Sequence, residues 1–191
     1  MPENTIAIVA QALSYVGMAL AVISMQFKSM RVYYTFQVVA ASVFVASYVL
    51  LGSYASAILN AWGVVCSLVL LLDKRTRPPR QLIWMLCVLL LCGCVSVYLD
   101  GALALLPLIA QMGSTVGMWS RNPARLRLLR LSVVSPLWLV NNVLVHSGGG
   151  IATEVFNILS VLISIWRYGW KTLMQDEDAK DKEASANGTS K

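Results

Sequence analysis

The chain has 191 residues, of which 58% are hydrophobic and 13% charged, with 15 Lys and Arg against 9 Asp and Glu for a formal net charge of +6. Its mean hydropathy is +0.68. A composition this apolar excludes a soluble globular domain and a disordered chain, and points to a protein of the lipid bilayer.

A helix that crosses the hydrocarbon layer needs about 20 largely apolar residues, because its backbone polar groups must be satisfied internally. Residues 1–5, "MPENT", are acidic and lack a basic n-region, so the first apolar run is expected to be retained and not cleaved as a signal. Segment one, 6–27, places Gln11 and Ser14 on one helical face and is followed by Lys28 and Arg31. Segment two, 32–51, carries Gln37, Ser42 and Tyr48. Segment three, 54–72, carries Ser56, Asn60, Gly63 and Ser67 at helical spacing and ends before Lys74, Arg75, Arg77 and Arg80.

Segment four, 82–99, reads "LIWMLCVLLLCGCVSVYL" and is almost free of polar groups. It holds Cys87, Cys92 and Cys94, and the fourth cysteine is Cys66. No His or carboxylate neighbours them, so they read as small packing residues, with no metal site and no cofactor implied. Segment five, 102–119, carries Pro107, Gln111 and Ser114 and precedes Arg121, Arg125, Arg127 and Arg130. Segment six, 131–147, contributes Ser135, Pro136, Trp138, Asn141 and Asn142, with His146 at its far end. Segment seven, 151–170, shows Glu154, Asn157, Ser160 and Ser164. The tail, 171–191, is polar and of mixed charge, and is predicted to be disordered. Strand alternation is missing from all seven runs, which argues against a membrane β-barrel.

Lys and Arg gather after segments one, three, five and seven, while the connections around Gly52, Asp100 and "HSGGG" carry none. The positive-inside rule then predicts an outside N-terminus and a cytoplasmic C-terminus in a multi-pass membrane protein. The stretch "RNPARLRLLR" is read as a loop on anionic headgroups, with no nucleic acid as partner.

Two echoes suggest duplication. "AQALSYVGM" (10–18) returns as "AQMGSTVGM" (110–118), and Gly52 and Gly149 each stand eight residues before an Asn. Gln11 precedes Asn60 by 49 residues and Gln111 precedes Asn157 by 46. The fold expected is an all-α membrane protein of seven transmembrane helices. Two parallel three-helix repeats, 6–72 and 102–170, flank residues 73–101, a basic loop plus the linker helix that restores orientation.

Polar groups inside a bilayer face protein or water. Asn60 and Asn157 suit either a central cavity that hydrogen-bonds a small polar solute or an interhelical packing contact. Asn142, Gln11 and Gln111 join them as candidate binding residues, and Trp138 as a flat stacking wall. Glu154 and His146 are candidates for a proton site, although a helix N-terminus also favours an acid at 154. Pro107 and Pro136 are candidate hinges.

The stretches "ASAILN" (55–60), "LLPLI" (105–109), "SGGGIATE" (147–154) and "WR" (166–167) resemble the bacterial inner-membrane YgjV family. The three-plus-one-plus-three plan is similar to that of the SWEET and PQ-loop transporters. That resemblance implies an Asn on the third helix of each unit, here Asn60 and Asn157, lining a solute pocket that Trp138 helps to close. The function expected is a facilitator for a small neutral polar solute, not an enzyme. The alternative is a non-transporting receptor or scaffold of related plan. Self-association is left open.

Overall fold

The computed structural model describes residues 3–25, 30–72, 79–120 and 122–168. Lys28, Lys74, Arg75, Arg77, Arg121 and the tail 171–191, with its predicted disorder, lie outside the described residues. Within them, the regular structure is helical throughout: α1 (Glu3–Met25), α2 (Met30–Leu50), α3 (Tyr54–Leu72), α4 (Pro79–Asp100), α5 (Leu105–Trp119), α6 (Pro123–Leu129), α7 (Ser135–Leu144) and α8 (Gly148–Tyr168). A single 3-10 turn, Gly101–Ala104, joins α4 to α5, and a π turn, Arg130–Val134, joins α6 to α7.

Hydropathy accounts for most of these elements. Thr5–Ser24, Arg31–Leu50, Tyr54–Leu72 and the 41-residue stretch Pro79–Trp119 are long and apolar enough to cross a membrane, and Gly148–Ile163 is a shorter apolar helix. The sixth predicted segment differs from expectation. Instead of one helix over 131–147, the chain leaves α6 at Leu129, passes through the π turn, and forms α7 ending at Leu144. Pro136 supplies the reason: it lacks an N–H for the carbonyl four residues back, and the ring crowds that carbonyl, so the turn before it widens. Pro107 likewise stands third in α5, just after the 3-10 turn, where a missing donor costs nothing.

The surface is apolar, and many polar side chains are buried among the core residues, unlike a soluble protein. Tyr98, Leu72, Ile8, Leu91 and Ile83 point outward, while Ser14, Ser24, Ser47, Ser96, Thr115 and Ser135 are buried. Only a surrounding hydrocarbon makes that arrangement favourable. All four cysteines are free; Cys66 packs inside, and Cys87 and Cys94 face out.

The packing order is regular. α2 packs on both α1 and α3, and α7 packs on both α5 and α8. Across the bundle, α1 meets α8 and α3 meets α5, while α4 lies against α3 and α5. The chain reversals at Gly52 (φ +74°), Gly101 (φ +69°) and His146 (φ +54°) fall at one end of the bundle. There Asp100 accepts the Ala55 N–H at 2.8 Å and caps α3 across 45 residues of sequence.

Candidate functional site

A cavity of ≈ 70 Å³ opens between the helices. At about 15 Å³ per water it holds roughly five waters, so a larger solute requires the helices to part. Each wall follows from helical spacing. α3 supplies Asn60, Gly63 and Ser67; α5 supplies Gln111, Ser114 and Met118, with the same intervals of three and four. α8 contributes Thr153, Glu154 and Asn157, and α2 contributes Gln37, Phe44 and Tyr48. Trp138 and Asn142 complete the lining from α7.

Asn60 and Asn157, on different helices, therefore line one cavity. Asn60 is half-buried and donates from Nδ2 only to Ser56 O of its own helix, at 3.0 Å. Asn157 is 4% exposed and donates from Nδ2 to Glu154 Oε2 at 3.3 Å. Gln111 lies against Gly63, whose missing side chain leaves room for the amide. Asn142 is held firmly: the Tyr48 hydroxyl donates to its Oδ1 at 2.5 Å. Phe44, Tyr48 and Trp138 form a stacked column, with centroids 6.0 and 6.1 Å apart and both interplanar angles 24°. That column is the aromatic wall.

Other candidates stand elsewhere. Gln11 is taken up by the α1–α8 seam: its amide Nε2 donates to His146 O at 2.6 Å, and its Oε1 accepts the Gly148 N–H at 2.9 Å. His146 lines a separate, open depression with Asp100 and Gly52, away from Glu154. Asn141 donates to Ser56 Oγ at 3.0 Å and joins α7 to α3. Pro107 and Pro136 lie outside the cavity lining. Among the described residues no cluster of three or more His, Cys, Asp or Glu side chains is placed to hold a metal ion.

One wall residue corrects the sequence reading. Arg130, expected in a loop on lipid headgroups, is 8% exposed and lines the cavity. The π turn explains the change. On a continuous α-helix, the twelve steps from Arg130 to Asn142 overshoot whole turns by about 120°, so the two side chains would diverge. Widening one turn by about one residue removes roughly 100° and aligns Arg130, Val134, Trp138 and Asn142 on one face. Pro136 was the available signal. Glu154 faces the same space, with Ser135 beside it and Arg130 near enough for the two charges to act on each other.

The chain matches the family Imp-YgjV, described as bacterial inner membrane protein, over residues 8–172, and it belongs to that family. It is accordingly a bacterial inner-membrane protein, in keeping with its apolar helices. No curated protein and no solved structure matches it.

Proposed function

We propose that this Imp-YgjV family member is a facilitator of SWEET-like plan that moves a small polar solute, neutral overall, by alternating access at the cavity shared by Asn60 and Asn157. Seven crossings arranged as two parallel three-helix repeats, with α4 as the linker, rock about that site. The N-terminus is outside and the C-terminus cytoplasmic.

The observation that carries this reading is the common cavity of the two asparagines, walled by amides, hydroxyls and an aromatic column. Neutral amides both donate and accept, which suits hydroxyl or amide groups of a solute. The duplicated residues also make duplicated contacts, which supports the repeat. Gln11 bonds the start of α8 while Gln111 lies on α3, so each meets the third helix of the other unit. Gly17 sits under Phe44 of α2 and Gly117 under Leu126 of α6, so each receives a side chain from the helix that follows its own.

Counterflow in proteoliposomes over sugars, vitamins, nucleosides and amino acids tests the proposal. One solute is expected to accumulate, and Asn60→Ala and Asn157→Ala each to reduce its exchange about tenfold, the effect of losing one or two solute hydrogen bonds. Because Asn60 bonds only its own helix, its variant should keep the wild-type Tm. Accumulation indifferent to both substitutions would remove the site from the mechanism.

A further inference from the structure

We infer that the solute of this cavity is a small zwitterion, its anionic group held by Arg130 and its cationic group by Glu154; this rests on the transport reading above and names its substrate class. Arg130 carries a full charge into a bundle interior at 8% exposure. Its guanidinium has five N–H donors and no acceptor, and among the described residues no protein group forms a hydrogen bond or ion pair with it. A buried charge that no protein group hydrogen-bonds costs several kcal/mol, which a solute in the cavity can offset.

The single carboxylate in the lining is Glu154, and no direct ion pair closes between the two. The two charges act on each other through the cavity they share. The rest of the lining is neutral, with Asn60, Gln111 and Asn157 among its amides. A neutral polyol would offer Arg130 no anion and Glu154 no cation, leaving Glu154 with only the amide of Asn157. An anion would satisfy Arg130 and be repelled by Glu154, and a cation the reverse. A solute with both charges and no net charge satisfies the whole site, and the planar fork of Arg130 matches a carboxylate or phosphonate in particular.

The test uses the full chain in proteoliposomes with four radiolabelled probe classes: the common neutral amino acids, their N-acetyl derivatives, their carboxamides, and glycerol with erythritol. At least one amino acid is expected to exchange about tenfold or more faster than either of its singly charged derivatives and than the polyols. Arg130→Gln should reduce that exchange tenfold to a hundredfold, as loss of a charge-assisted pair predicts, while Arg130→Lys retains a larger part of it. Glu154→Gln should erase the preference for the free amino acid over its N-acetyl form. This last readout is a ratio within one variant and is independent of the amount of folded protein.

Polyol or sugar exchange with no amino-acid exchange, unchanged by Arg130→Gln, overturns the zwitterion assignment and leaves transport standing. Silence towards these probes and towards the sugars, vitamins and nucleosides overturns both.

Discussion

Replacement of Gly149 by alanine should be the most damaging single-methyl change in the bundle. Gly149 lies in the first turn of α8, where its N–H donates to Ser14 Oγ of α1 at 2.8 Å. A Cβ at this position would fall closer than 3.0 Å to the main-chain carbonyl of Ser14 as well as to its hydroxyl. Comfortable carbon contacts are about 3.5–4.0 Å, so α1 and α8 must part by an ångström or more. Main chain cannot rotate aside as a side chain can, which puts the overpacking cost at about 3 kcal/mol, the upper end of its usual range. Parting the helices also weakens the Gln11 bonds to His146 and Gly148, worth about 0.6 kcal/mol each in a bilayer. The gain in helix propensity from glycine to alanine returns at most about 1 kcal/mol. The net loss of about 3 kcal/mol corresponds to a fall in Tm of roughly 6–12 °C for a chain of this size, readable by tryptophan fluorescence of the detergent-solubilised protein. Adding Ser14→Ala should not restore it, because the clash with the carbonyl remains. A Gly149→Ala protein that melts with the wild type would refute the close approach of α1 and α8.

Two further changes test single contacts. Tyr48→Phe removes the donor to the buried Asn142 Oδ1 while keeping the aromatic column, and should lower stability by about 1–2 kcal/mol; an unchanged or higher Tm would show that the amide has another donor. Asp100→Ala removes the cap of α3 and should cost about 1 kcal/mol, with Asp100→Asn close to wild type because an amide oxygen still accepts from Ala55; equal losses in the two variants would mean that the carboxylate charge, not the cap, is what matters there.

Much of this molecule is legible from its residues, for a physical reason. A bilayer demands long uninterrupted apolar helices, so hydropathy locates α1 to α5 to within a few positions of the observed ends. The shared face of Asn60, Gly63 and Ser67 is likewise a matter of spacing, as is that of Gln111 and Ser114. Partners are another matter. Gln11 and Gln111 occupy equivalent places in the two echoes, yet one amide is consumed at a helix start and the other lines the cavity. Nothing local distinguishes them, because the difference lies in a helix more than a hundred residues away. Arg130 was lost for a different reason: its direction depends on the phase of a helix, and one widened turn shifts that phase by more than a quarter revolution. A charge count along the chain cannot register that shift.

The seam between α1 and α8 bears on how the protein is made. Gln11 and Ser14 leave the ribosome about 135 residues before the backbone groups they bond. At 5–20 residues per second, α1 waits on the order of ten seconds in lipid with its amide and hydroxyl unanswered. Insertion can proceed helix by helix, but the ring of helices closes only when the triple glycine arrives. A nascent chain stalled before Gly148 thus keeps a polar stripe on its earliest helix, without the groups that answer it in the finished bundle.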